Sequence, residues 1–373
     1  MSLTRQNCNG SEGVVPTQAV VKLLTGETPP RELAGIRISA SLTPEKVASF
    51  IQKNYSYLVF SMVFLGVIAG VFVPKPVQVL KPLMLPLVSI MVWAMSVTIR
   101  FEELVLVTKK VRQIVCGLLL NFAFLPTLCF LLAVAFLSRE PTWAVGFILM
   151  GTVPCAGMNV VWTGLLKGDV PLALILAALT MILGIVTIPG LTALLAGVYV
   201  EVSIIEMLRI IAIALAIPLV LGIATRHVLE ARLGKNLARY LPTFPPISAI
   251  TAMLLMFSML AVNVALIPPN PSLILSLIIP PLVLFPVAFG GAHLICTKIL
   301  RCPMKETNAI VYSSGMKHLP LAMGIAFASF GPMAALPIAI SAAFQTVNAS
   351  IFYRIFQKIQ PSEEKMECSG CKI

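Results

Sequence analysis

A pair of sulfur ligands lies at a break in one apolar stretch, "TVPCAGMN" at residues 152–159. Pro154 and Gly157 interrupt a helix here, because proline lacks a backbone N–H and glycine is a poor helix former. Cys155 offers a thiol beside the break, and Met158 offers a thioether about one helical turn away. Such ligands suit a soft element such as trivalent arsenic. The alternative is that Cys155 is a small packing residue.

Neutral oxygen donors follow in the same stretch and in a second one. They can bind an ion or a solute, and they can equally hold helices together by hydrogen bonds across an interface. The sequence leaves both readings open for Asn159, Thr163, Ser313 and Ser314.

The second stretch, "YSSGMKHLPLA" at residues 312–322, carries basic residues between Gly315 and Pro320. A lysine at bilayer depth is expensive and usually functional. Lys317 can stay charged in the place of a bound cation, or carry a proton during transport, with His318 beside it. The alternative is that its long side chain reaches to the membrane surface.

The composition identifies the elements that must position these residues. The chain has 373 residues, of which 58% are hydrophobic and 11% charged, whereas a soluble domain carries about 25% charged residues. An integral membrane protein is therefore predicted. The net charge of +12 could suggest a nucleic-acid partner, but the basic residues are scattered in short loops, which is typical of membrane topology.

Apolar stretches that cross a hydrocarbon core of about 30 Å need about 20 residues each. Ten such stretches are predicted, and they must be helices because lipid satisfies no backbone polar group. They cover residues 55–73, 77–99, 114–137, 143–166, 170–198, 204–224, 247–267, 273–299, 309–330 and 333–356.

Positive charge alternates between the predicted loops, which sets the orientation. The loops "IPPNPS" and "FGPM" carry no lysine or arginine, and the loop after the fifth helix shows Glu201 and Glu206. A multi-pass protein of the cell membrane with both termini in the cytosol is therefore predicted. The basic residues of the other segments are Arg31, Arg37, Lys46 and Lys53; Arg100, Lys109, Lys110 and Arg112; Arg226, Arg232, Lys235 and Arg239; Lys298, Arg301 and Lys305; and Arg354 and Lys358.

Two sets of five helices start from opposite membrane faces, which is the parity of an inverted repeat. The predicted organisation is a polar cytosolic extension at residues 1–50, repeats at 51–200 and 201–358, and a flexible cytosolic tail at 359–373. The fourth and ninth helices are both interrupted by proline and glycine. In secondary transporters such a matched pair crosses near the midplane and forms the solute site, whereas a single break is often an ordinary kink.

The fourth helix carries a spaced set of residues: Cys155, Met158, Trp162, Leu165, Gly168 and Asp169. In these residues it resembles the fourth helix of the arsenite efflux permeases of arsenical resistance, and more widely that of the bile acid:sodium symporters. The resemblance implies ten helices in two inverted repeats, with a panel and a core subdomain that holds the crossed broken helices. Those families carry an acidic residue in the ninth helix, whereas the broken segment here has none and contains Lys317.

The predicted function is a secondary transporter that moves an arsenite-like solute or an organic anion by alternating access, without Na⁺. Its expected partners are the solute, the bilayer and, as a candidate coupling ion, the proton; no nucleic acid, cofactor or metal is expected. A non-transporting membrane sensor is the alternative. An intramembrane hydrolase is disfavoured, because none of the three histidines has the HExxH spacing.

The cysteines give no disulfide framework, because four of the eight fall inside apolar runs. Cys368 and Cys371 have the CxxC spacing that can present two thiolates to a metal. One such pair in a polar tail is weak evidence for a metal site, and an unstructured end is the favoured interpretation.

Overall fold

The computed structural model describes residues 44–73, 78–99, 110–234, 237–264 and 270–359. Within these ranges the chain is helical, and its only β-type pairing is an isolated bridge. The predicted all-α membrane fold is confirmed. Most of the predicted N-terminal extension and nearly all of the tail, with Cys368 and Cys371, lie outside the described residues.

Besides a four-residue helix, Leu237–Tyr240, ten helices follow one another along the described chain, and two of them are broken. We number them α1 to α10 and call the halves of the broken ones a and b. They are α1 Pro44–Phe72, α2 Gln78–Ser96, α3 Val111–Phe136, α4a Pro141–Thr152, α4b Met158–Leu165, α5 Val170–Ala196, α6 Ile204–Leu233, α7 Leu241–Asn263, α8 Pro271–Ile299, α9a Met304–Gly315, α9b Leu319–Phe330 and α10 Pro332–Ile359.

Seven of these helices are by themselves long and apolar enough to span a bilayer. The other three of the described part are α1, whose apolar portion is Tyr57–Phe72, and the two broken helices. The count of about ten crossings therefore agrees with the sequence prediction.

The sixth predicted helix was too short. It was expected to end at Ala224 before a charged loop, but α6 continues to Leu233. Arg226 is buried in this extension; it donates to Glu230 Oε1 at 2.7 Å and to the Val97 carbonyl at 3.1 Å. An ion pair at i, i+4 spacing supports helix where hydropathy alone predicts a loop.

The packing of the helices repeats when helix n is exchanged with helix n+5. The contact of α1 with α7 corresponds to the contact of α6 with α2. In the same way, the contact of α4a with α10 corresponds to that of α9a with α5. α1, α2, α6 and α7 form the panel, and the other six helices form the core. This agrees with two inverted repeats; the repeat boundaries at 51–200 and 201–358 remain a prediction.

Gly146 permits a close approach of two core helices. A Cβ built on Gly146 of α4a would overlap the backbone oxygen of Ala334 at the start of α10. Small residues bring membrane helices together in this way. The first half of the broken α4 is therefore held tightly against α10.

Three helices contain a π turn: Leu120–Phe124 in α3, Ala212–Ala216 in α6 and Ile295–Ile299 in α8. In each, the first carbonyl accepts the backbone N–H five residues on. Each second carbonyl has a partner outside this pattern: Asn121 O accepts from Lys317 Nζ, Ile213 O from Ser89 Oγ, and Cys296 O from the Cys302 N–H. In α3 and α6 a proline, Pro126 or Pro218, stands five residues after the second carbonyl. Because proline has no N–H, it cannot donate to that carbonyl, which is left free for the other partner.

Candidate functional site at the crossing of two broken helices

The fourth helix breaks where Pro154 predicts. Val153 is extended, with φ −71° and ψ 158°, because the residue before a proline is driven out of the helical region. α4b resumes at Met158, with Gly157 as its N-cap residue. The unwound segment at 153–157 leaves backbone groups without helical partners.

The ninth helix breaks at residues 316–318, and the two unwound segments pair with each other. Cys155 and Lys317 form an antiparallel bridge. The Ala156 N–H donates to Met316 O at 2.7 Å, and the His318 N–H donates to Pro154 O at 2.9 Å. Backbone groups that lipid cannot satisfy are thus satisfied at the crossing itself.

Lys317 points into the protein, and only 1% of it is exposed. Its Nζ donates to the backbone oxygen of Asn121 at 2.9 Å, to Asn121 Oδ1 at 3.0 Å and to the backbone oxygen of Val153 at 2.9 Å. A lysine ammonium has three N–H donors, and each has an oxygen here. The lysine joins α3 to the break in α4, so it does not reach to the membrane surface.

The backbone of Lys317 is fixed by α10. Its N–H donates to Gln345 Oε1, and Gln345 Nε2 donates to the Lys317 carbonyl, both at 3.0 Å. The side-chain amide of Gln345 thus provides hydrogen-bond partners for both the N–H and the C=O of Lys317, which lie outside a helix. The lysine therefore sits on a restrained segment.

Cys155 is buried in this conformation. Its Sγ lies 3.2 Å from Thr180 Oγ1, and its backbone N–H donates to the same hydroxyl at 3.3 Å. The Thr180 hydroxyl donates to Leu176 O at 2.7 Å, so it can accept from the thiol. The thiol is thus held against α5.

Asn159 of α4b connects its own helix to α5 and α9a by hydrogen bonds close to the crossing. Its Nδ2 donates to Ser313 Oγ of α9a at 2.7 Å and to Ala173 O of α5 at 3.2 Å. Within the described part of the chain, Asn159 Oδ1 and Thr163 Oγ1 are buried without a hydrogen-bond partner. Spare acceptors here can take a donor from a solute.

The remaining predicted residues lie around this centre with different roles. Ser314 donates to Ile310 O of its own helix, and Met158 is partly buried at the start of α4b. The His318 ring is buried, and its Nδ1 has no partner among the described residues. Gly157 faces Met95 of the panel, Gly315 ends α9a against the ring of Phe289, and Pro320 is the second residue of α9b.

Two residues of the centre were missed in the sequence. Asn121 supplies two of the three oxygens around Lys317 Nζ, and Thr180 holds Cys155. The sequence does contain a signal for Asn121: it is a lone amide in the apolar run "LLLNFAFLP", five residues before Pro126.

A charged cluster lies at one end of the core, outside the spanning segments. Lys110, before α3, forms ion pairs with Asp169 and with Glu306, the latter at 3.5 Å. The hydrogen bond to Asp169 raises the pKa of Lys110. Asp169 Oδ1 also accepts from the Leu172 N–H at the start of α5, so the cluster joins the beginnings of α3, α5 and α9a.

The model of the sodium bile acid symporter family matches residues 85–269, which include the broken α4 but not α9.

Three relatives align over a larger part of the chain. An uncharacterized sodium-dependent transporter, YocS of Bacillus subtilis, is 24% identical over 72% of this chain and 81% of its own length. A probable chloroplastic sodium/metabolite cotransporter, BASS1 of Arabidopsis thaliana, is 23% identical over 74% of this chain and 67% of its own. The arsenical-resistance protein Acr3 of Alkaliphilus metalliredigens is 23% identical over 77% and 86%.

These relatives span both groups that the fourth helix resembles, and the helices have the packing that the resemblance implies. The chain is a multi-pass membrane protein that is similar to the sodium bile acid symporter family and to arsenical-resistance proteins.

Proposed function

We propose that the chain moves a small anionic solute by alternating access, without coupling to Na⁺. The observation that carries the proposal is the contact of Lys317 Nζ with three oxygens at the crossing. In secondary transporters, carbonyl oxygens of unwound segments coordinate the coupling cation. One of the three oxygens, that of Val153, belongs to an unwound segment, and the other two belong to Asn121 of α3. A fixed ammonium group that contacts them supplies the positive charge that a bound cation would bring.

The ends of the half helices favour an anion. α4b and α9b both begin at the crossing, and neither has a side-chain hydrogen bond at its N-cap. Helix N-termini carry partial positive charge and unpaired N–H groups. Together with Lys317 they make the centre attractive to negative charge.

The division into panel and core supports alternating access. The broken helices belong to the core, and Gly157 and Gly324 contact Met95 and Val88 of α2 in the panel. Movement of the core against this helix would expose the crossing to either side in turn.

The names of two relatives refer to sodium, so Na⁺ dependence is the property to test. The protein is reconstituted in proteoliposomes, and counterflow of radiolabelled carboxylates and arsenite is measured in Na⁺ and in choline buffer, with and without a pH gradient. We expect equal wild-type flux in the two buffers. The pH-gradient arm reports whether a proton is coupled.

Lys317→Gln is the informative variant. We expect its flux in choline buffer to fall at least about tenfold, the effect of about 1.4 kcal/mol, and to recover partly in Na⁺ because oxygens are freed for a cation. Lys358→Gln, at an exposed lysine at the end of α10, serves as the control. Wild-type flux that requires Na⁺ buffer, with the flux of Lys317→Gln equal to that of the wild type in both buffers, would refute the proposal.

A trivalent arsenical is the second candidate. Cys155 at the crossing favours it, since a thiol held by Thr180 at 3.2 Å becomes a soft ligand if the core opens there. In that case Cys155→Ser abolishes arsenite flux and leaves the amount of protein in the membrane unchanged. Undiminished arsenite flux in Cys155→Ser would eliminate Cys155 as an arsenic ligand.

A further inference from the structure

A groove of about 830 Å³ lies between α3 and α8 on the outer side of the core. Its walls are mainly carbon, from residues such as Leu119, Leu120 and Phe124 of α3 and Ile295 and Ile299 of α8. Leu119 and Ile299 are 60% and 70% exposed, so the groove opens toward lipid. Its volume falls in the range of ligand pockets, about 300–1,000 Å³.

Two π turns contribute to the lining of the groove. Leu120–Phe124 lies on one side of it and Ile295–Ile299 on the other. π turns bulge the helix backbone and are frequent at functional sites. The turn in α3 also supplies the Asn121 oxygens to Lys317, so this turn contributes to both the groove and the crossing.

Arg112 brings positive charge to one end of the groove. Arg112 is part of its lining, is exposed and donates to Leu300 O at 2.8 Å. Lys298 and Arg301 are exposed and adjoin the lining residues Ile299 and Leu300 in the chain. The nearby carboxylates of Asp169 and Glu306 pair with Lys110 instead.

We infer that this groove binds one anionic phospholipid of the surrounding bilayer. Its carbon walls fit an acyl chain. Arg112 of the lining, with Lys298 and Arg301 next to lining residues in the chain, fits a phosphate headgroup, which arginine binds through paired hydrogen bonds. Basic pockets between membrane helices bind such headgroups on the cytosolic side, the side that the loop charges predict for this end. The inference does not depend on the proposed solute.

The test is native mass spectrometry of the whole protein released from nanodiscs of equal parts phosphatidylglycerol and phosphatidylcholine. We expect the wild type to retain one lipid, predominantly phosphatidylglycerol. The triple variant Arg112→Gln, Lys298→Gln, Arg301→Gln should lose that preference at least about tenfold. Its control, Arg232→Gln, Arg354→Gln, Lys358→Gln, removes the same charge from other exposed positions and should keep it.

A second variant tests the groove itself. Ala123 lines it and is exposed, whereas Ala135 is exposed on the same helix and is not part of the lining. Ala123→Trp should remove the retained lipid, and Ala135→Trp should not. Equal retention and equal lipid preference in the wild type, the triple variant and Ala123→Trp would overturn the inference.

Discussion

Lys317 and Asn121 meet at the centre of the core, where the lysine Nζ contacts both the backbone and the side-chain oxygen of the asparagine, at 2.9 and 3.0 Å. The asparagine in turn donates to the carbonyls of Gly117 and Ser313, both at 3.1 Å. One residue of α3 therefore connects Lys317 of the ninth helix to α9a and to its own helix.

A double-mutant cycle should reveal this connection. Asn121→Leu leaves a buried ammonium with one acceptor fewer, which costs about 1–3 kcal/mol. Adding Lys317→Met removes the charge that lost its acceptor, so the double variant should be more stable than the sum of the single effects by about 0.5–3 kcal/mol. Unfolding by detergent titration measures these differences. Asn348→Leu, which removes an amide bonded to Phe344 O, is the control, and additive effects of Asn121→Leu and Lys317→Met would contradict the coupling.

Pro126→Ala should weaken the lysine site. The new N–H can donate to the Asn121 carbonyl and compete with Lys317, at about 0.5–1.5 kcal/mol for the added hydrogen bond. We expect flux to fall about two- to tenfold, the corresponding factor. Pro218→Ala makes the same change beside the π turn of α6, where Ser89 is the partner, and should leave flux near wild type. Equal loss in both variants would assign the effect to helix geometry alone.

Gly146→Ala should weaken the packing of α4a against α10 and destabilise the protein. The added methyl group overlaps the backbone oxygen of Ala334, and the two backbones must separate, which costs about 1–3 kcal/mol or more. Gly190→Ala is the matched control, since a Cβ there has no neighbour within 4 Å. Size-exclusion profiles and melting temperatures in detergent compare the two, and a wild-type melting temperature for Gly146→Ala would show that α4a and α10 tolerate separation.

The orientation follows from loop charge and remains a prediction. In a background without native exposed cysteines, Asn270→Cys should react with an impermeant maleimide added outside cells, and Arg301→Cys should react only after permeabilisation. Both residues lie beside the ends of α8. The reverse labelling pattern would place both termini outside.

The sequence predicted those features that depend on local chemistry. The breaks at Pro154 and before Pro320 follow from proline geometry, and the ten helices follow from the length of the apolar runs. The predicted end of α6 was wrong, because hydropathy assigns the charged Arg226 to a loop. In the structure an ion pair with Glu230 stabilises Arg226 within the helix.

The sequence alone also determined that a charged residue would lie in the broken ninth helix, because Lys317 has apolar residues and helix breakers around it. Only the tertiary structure decided what that charge contacts. Asn121 lies 196 positions away in the chain, and its carbonyl becomes available only because a π turn and a proline withdraw its helical partners. Hydrogen bonds between distant segments depend on how the two repeats cross, which no local pattern of residues records.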